Sequence, residues 1–236
     1  MAIYAISDLH LALSTPKPMD VFGDGWFRYM ERIEEAWRAV VMPEDYVLIP
    51  GDVSWATYID AADKDFEFLD NLPGRKVISK GNHDYWWTTT NKMRQYLEDR
   101  QFKTISFLHN DAILIENVAV VAARGWVCPG MPDFRGAEDE KIYQREIIRL
   151  RLSIAAITSR ELKYEKMVVM LHYPPFSGKM PQTAFTEIIK TFEPDLCIFG
   201  HLHGVSARAA FEGTIGKTRF IMVSADHLQF QPYRID

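Results

Sequence analysis

A chain of 236 residues, 47% hydrophobic and 25% charged, has the makeup of an ordinary globular protein with a substantial core, and residues 1–236 are expected to form a single domain. A formal charge of −5 argues against stable nucleic-acid binding, which rests on clustered Lys and Arg. With no run of about 18 apolar residues, and no basic region in the opening MAIYAISDLH, neither a membrane span nor a secretory signal is expected, and a cytoplasmic location follows.

The predicted elements alternate. Ala2 to Ser7 reads as a strand, Trp26, Met30, Ile33, Trp37 and Val40/Val41 mark a helical stripe, and Tyr46 to Pro50 is a second strand. Tyr58 to Asn71 is a helix ending at Leu72-Pro73-Gly74, Lys76 to Ser79 a strand, and Thr88 to Arg100 a helix. A hairpin turning at Glu116-Asn117 spans Ala112 to Ala123, and Glu138 to Tyr164 is the longest helical pattern. Met167 to Leu171 and Asp195 to Phe199 are strands flanking a helix at Thr183 to Phe192. Val205 to Glu212 and Lys217 to Ser224 pair as a terminal hairpin around Gly213 to Gly216. Strands alternating with helices first and hairpins later indicate layered α/β architecture with mixed sheets.

Polar motifs follow these apolar runs immediately, where open α/β sheets place ligands. Asp8 and His10 follow the first strand, Asp52 the second, Asn82, His83 and Asp84 the third, His172 the Met167 run, and His201 and His203 the Asp195 run. Five of the seven histidines stand at these exits, a distribution that scattered core histidines would not produce. Asp-x-His and His-x-His in extended backbone direct both side chains to one side, so each pair can chelate. Gly51, Gly81 and Gly200 precede three of the motifs, where the chain turns sharply. Imidazole, carboxylate and carboxamide donors without thiolate suit Mn²⁺, Fe or Zn²⁺. Cys128 and Cys197 suggest neither a disulfide nor a metal site.

The series Asp8-Leu-His10, Gly51-Asp52, Gly81-Asn82-His83-Asp84, His172 and Gly200-His201-Leu-His203 resembles the full motif set of the calcineurin-like metallophosphoesterase superfamily. Lys17 to Gly23, Gly51 to Ala56 and Asn82 to Trp87 are similar to a bacterial branch of predicted phosphohydrolases. The resemblance implies a four-layer αββα sandwich of two mixed sheets flanked by helices. It also implies two divalent metal ions, with Mn²⁺ expected and Fe or Zn²⁺ as alternatives. Asp8, His10, Asp52 and His203 would bind one ion and Asp52, Asn82, His172 and His201 the other, with Asp52 as the bridge. A metal-bridging hydroxide would attack a phosphate ester in line. In the family the position of His83 is not a ligand but a proton or hydrogen-bond donor to the leaving oxygen. Asp84 would orient that imidazole or cap the following helix.

Protein phosphatases of the superfamily carry an Arg after Gly-Asp and a Glu after Asn-His, neither of which occurs here. Purple acid phosphatases carry a tyrosine where this chain has Trp55. A small phosphorylated substrate is left, either a phosphodiester or a phosphomonoester, and nothing in the sequence indicates an oligomeric state. Arg124 and Arg135, in a Pro/Gly-rich segment, are candidate substrate-binding residues. Trp55, Tyr85, Trp86 and Trp87 are expected to pack near strand ends. A non-catalytic metal-binding scaffold on the same fold is the competing class; such relatives lose ligands, and every ligand position here is filled.

Overall fold

The computed structural model describes residues 1–17, 19–177, 182–208 and 210–236. The described strands, in chain order, are β1 (Ile3–Ala5), β2 (Tyr46–Pro50), β3 (Arg75–Ser79), β4 (Ile105–Phe107), β5 (Ala112–Ile115), β6 (Val118–Ala123), β7 (Lys166–Leu171), β8 (Leu196–Phe199), β9 (Gly213–Ile215), β10 (Thr218–Met222) and β11 (Tyr233–Arg234). The α-helices are α1 (Tyr29–Val40), α2 (Asp63–Asn71), α3 (Thr90–Arg100), α4 (Ala137–Ser159), α5 (Ala184–Phe192) and α6 (Gly204–Ala207). They fall into two compact units, Met1–Phe107 with Val223–Asp236, and Leu108–Met222.

The first unit holds a five-stranded sheet in the order β11-β1-β2-β3-β4. β1 to β4 run parallel, with Ile3 opposite Tyr46, Val47 opposite Lys76 and Val77 opposite Ser106, and β11 closes one edge antiparallel to β1. α1, α2 and α3 bury Ile33, Trp37, Phe66, Leu69 and Met93 against alternate strand residues such as Val47, Ile49 and Ile78. The second unit holds a six-stranded sheet in the order β5-β6-β7-β8-β10-β9, with β6, β7, β8 and β10 parallel and antiparallel strands at both edges. There α4 and α5 bury Leu150, Ile154, Phe185 and Ile189 against Val121, Val169 and Phe199. Both sheets are therefore mixed and flanked by helices, as the alternating pattern leads one to expect.

The differences from the sequence pattern are local. Trp26 belongs to a separate 3₁₀ turn, Asp24–Trp26, because Arg28 interrupts the stripe in a left-handed conformation at the start of α1. Tyr58 to Asn71 divides into a 3₁₀ turn, Ile59–Ala61, and α2. The start of the strand predicted over Val205 to Glu212 is instead α6, and the antiparallel partner of β10 is β9, which lies within the predicted turn. Ser206 Oγ donates to the His203 carbonyl at 2.7 Å and accepts from the His203 N–H at 3.2 Å, satisfying a turn where a strand would leave both groups to the ladder. Ala209, within that predicted strand, and Pro18, within the Lys17 to Gly23 stretch, lie outside the described residues. No helix among the described residues is long and apolar enough to cross a membrane.

Lys76 in β3 is fully buried. Its ammonium donates to the carbonyls of Leu72 and Gly74 and to Thr104 Oγ1, tying the turn before β3 to the entry of β4. Loss of water around the charged form pushes its pKa down to about 8, against a smaller opposing pull from Asp70. The unfolded chain, with an ordinary lysine, therefore binds more protons between about pH 8 and pH 10.5. Stability from this group rises across that window, because the cost of burying a charge disappears as the folded lysine deprotonates. Chemical denaturation of wild type and Lys76→Met at pH 8 and pH 10 is expected to show the wild type gaining stability relative to the variant at the higher pH.

Candidate metal centre

In the first unit the chain leaves β1 and β2 side by side. The N–H groups of Asp8, His10 and Leu11 donate to the carbonyls of Gly51, Asp52 and Val53 at 2.9–3.0 Å, and Leu11 and Ser54 form an isolated parallel bridge. Asp8, His10 and Asp52 adopt positive φ of 58°, 46° and 53°. Such backbone costs about 1–3 kcal/mol per residue, although Asp and His tolerate it better than most side chains. The turn delivers all three side chains into the interior, where each is buried. Oxygens of Asp8 and Asp52 lie within 4.8 Å of each other, and a nitrogen of His10 lies within 4.8 Å of an Asp8 oxygen. His10 Nε2 stands 3.9 Å from Asp52 Oδ2.

Two buried carboxylates this close repel each other and have lost their hydration, so they call for a compensating cation. The donor types also fit a divalent metal ion, with hard carboxylate oxygens beside a borderline imidazole.

Asp84 joins the exits of β2 and β3. Its fully buried carboxylate accepts from the N–H groups of Asp52 (2.9 Å), Val53 (2.9 Å) and Gly81 (2.7 Å), and from Trp86 Nε1 (3.0 Å). The cap of α3 is made by Thr89, which accepts from Lys92 N–H, so of the two roles expected for Asp84 the helix cap falls away. Asp52 Oδ1 in turn accepts from the His83 N–H at 2.8 Å. At Gly81 a Cβ atom would meet Asp52 Oδ1 at 2.1 Å and Asp52 N at 2.3 Å, so only glycine lets these two turns approach. Asn82 and His83 are half-buried at the same exit.

Aromatic rings line this end of the unit. Trp55 stacks on His10 with centroids 4.7 Å apart and lies 4.6 Å from His83, while Trp26 meets His10 edge-on at 6.1 Å. Trp86 is buried and Trp87 half-buried beside Phe107, whereas Tyr85 is exposed. Trp55 therefore touches two of the predicted site histidines, a role that its expected packing near a strand end did not reveal.

In the second unit His172 is buried at the exit of β7, and its N–H and that of Tyr173 donate to the Arg124 carbonyl, each at 3.0 Å. The His172 carbonyl accepts from Gly200 N–H at 3.0 Å, and the His172 and His201 rings lie 5.1 Å apart. His201 has φ 73°, and Tyr173 packs on its ring at 4.0 Å. His203 sits half-buried at the start of α6.

Arg124 lies over Trp126 and pairs with Glu146 at 3.3 Å, and Arg149 reaches the same Glu146 oxygen at 2.6 Å. Glu146 is fully buried on α4. Arg135 is exposed, and its backbone N–H donates to Asp139. Cys128 and Cys197 are buried free thiols, and burial pushes the Cys128 thiol up to about 12 and raises Cys197 as well, the opposite of what a thiolate ligand needs.

Comparison with known proteins bears on the fold and the family. Among solved structures, a protein of unknown function from Aquifex aeolicus is similar over 99% of this chain and 95% of its own, with 17% identity and a TM-score of 0.53. Phosphopantetheinyl hydrolase from Mycobacterium tuberculosis shares 12% identity over 99% of this chain and 95% of its own, with a TM-score of 0.53. A Thermus thermophilus protein shares 12% identity over 93% of this chain and 87% of its own, with a TM-score of 0.54. At these identities the likeness is one of fold. No curated protein sequence matches the chain. The sequence profile of calcineurin-like phosphoesterases matches residues 1–205, which cover both sheets up to the start of α6, and the chain accordingly belongs to the calcineurin-like phosphoesterase family.

Proposed function

We propose that the protein is a dinuclear-metal hydrolase of small phosphate esters, with Asp8, His10, Asp52, Asn82, His172, His201 and His203 as metal ligands and His83 as general acid. The observation that carries this reading is the pair of buried carboxylates, Asp8 and Asp52, held within 4.8 Å on left-handed backbone beside His10. A folded chain keeps such strain and repulsion where a cation offsets them. Family membership supplies the reaction class. Mn²⁺ is the ion we expect, with Fe or Zn²⁺ as alternatives, acting in the cytoplasm. When bound, the metal pair supplies an activated water and offsets the charge that develops in an in-line displacement at phosphorus.

The remaining chemistry belongs to side chains. His83 is held by its own N–H on Asp52 and by the Trp55 ring tilted against it, which aims the imidazole without consuming it as a ligand. From there it donates a proton to the departing oxygen. Asp84 acts as a positioning residue, fixing the Asp52 and Gly81 backbones so that Asp52 and Asn82 keep their places. Arg124 positions His172 through its carbonyl, and its guanidinium serves Glu146. Arg135, exposed, is a candidate contact to the phosphate.

Titrating metal-free protein with Mn²⁺ while following p-nitrophenyl phosphate and bis(p-nitrophenyl) phosphate tests the reading directly. Turnover that rises with metal is expected, and silence with every first-row divalent ion would favour a scaffold. His83→Ala is expected to lower kcat by about 10²- to 10⁴-fold on phenyl phosphate and by less on p-nitrophenyl phosphate, whose leaving group needs no proton. Equal losses on the two esters would remove the acid role. Asp84→Asn is expected to weaken Mn²⁺ binding or activity by about 10- to 100-fold, measured by metal analysis after dialysis and by kcat.

A further inference from the structure

The loop that follows His10 carries a cation whose place the proposed mechanism does not use. Leu13 and Ser14 donate their N–H groups to Asp65 on α2 at 2.8 and 3.3 Å, and Ser54 Oγ donates to the other oxygen of the same carboxylate at 2.5 Å. The base of the loop is thus pinned to the turn that bears Trp55. Three residues beyond Ser14, Lys17 extends over the Trp55 ring with its ammonium 3.6 Å from the centroid. That same ring lies 4.7 Å from His10 and 4.6 Å from His83.

Lys17 is exposed, and among the described residues it has no carboxylate partner. The Trp55 indole N–H is buried and likewise has no acceptor among the described residues. A cation resting on an aromatic face keeps its charge and its three donors available, whereas a salt bridge would neutralise it. At a site already built to hold two divalent ions, a further uncompensated positive charge raises the local potential. An exposed ammonium there strengthens the attraction for a molecule that brings negative charge beyond what the metals balance.

We infer that Lys17 is a specificity-determining residue that binds a non-bridging oxygen of a dianionic phosphate, making phosphomonoesters the preferred substrate class. The inference rests on the metallophosphoesterase reading given above. A diester carries one negative charge on its phosphorus centre, while a monoester near neutral pH carries close to two. The extra charge is what an ammonium on Trp55 can meet, and no atom of the reaction is transferred to or from Lys17.

Wild type, Lys17→Gln and Lys17→Arg, each loaded with Mn²⁺, are to be compared on p-nitrophenyl phosphate and its bis ester, with inorganic phosphate as an inhibitor of bis-ester hydrolysis. Lys17→Gln is expected to raise KM for the monoester and the inhibition constant of phosphate by about tenfold, with a clearly smaller loss in bis-ester kcat/KM and metal content unchanged. Lys17→Arg is expected to recover most of the loss. An unchanged phosphate inhibition constant in Lys17→Gln, or equal losses on both esters, overturns the inference and leaves the hydrolase reading standing. Failure of the wild type to hydrolyse either ester with any metal overturns both.

Discussion

A single carboxylate sets the geometry of the first unit's site. Asp84 lies where the exits of β2 and β3 would otherwise leave three backbone N–H groups pointing into a dry interior. Its two oxygens collect those donors together with the Trp86 indole. A buried donor without a partner costs about 1–3 kcal/mol, so this arrangement is worth several kcal/mol against any backbone that breaks it. The consequence is a fixed separation between the Asp52 turn and the Gly81 turn, so tight that a methyl group at residue 81 would overlap Asp52. Left-handed backbone at Asp8, His10 and Asp52 then completes a framework in which costly local choices are compatible with one another.

The second unit reaches a similar end by different means. Its order runs from α4 outward: Glu146 holds Arg124, the Arg124 carbonyl holds the exit of β7, and Tyr173 covers His201. A fully buried glutamate with three guanidinium neighbours, Arg124, Arg145 and Arg149, is costly to assemble and costly to break, because a buried charge then loses part of its compensation.

Much of this was readable from residues alone. Tyr46 to Pro50 and the hairpin at Glu116-Asn117 follow from apolar runs bounded by turn residues, and they occur with the expected limits. The candidate ligands were legible because each stands directly after such a run, and in the structure they occupy those strand exits. The short strands β4 and β11, of three and two residues, escaped notice. No periodicity can be read over so few positions, and both exist through pairing with residues distant in sequence. The positioning role of Asp84 was hidden for the same reason: two of its donors, the N–H groups of Asp52 and Val53, lie on another turn, and nothing in the neighbourhood of residue 84 announces them. Trp55 was visible as an aromatic near a strand end, but which rings it meets is decided by the fold.

The first unit is discontinuous, and that has a bearing on how the protein is made. Ser7, immediately before Asp8, donates to the Val223 carbonyl at 2.7 Å and accepts from Ala225 N–H at 2.9 Å, and β1 gains its outer neighbour only from β11. During ribosomal synthesis the segment after Phe107 must be translated in full before these partners emerge, an interval on the order of ten seconds at typical elongation rates. Until then β1 has an open edge and the backbone leading into Asp8 lacks its clasp. Asp8 and His10 are thus among the first residues made, while the backbone leading into them is among the last to gain all its partners.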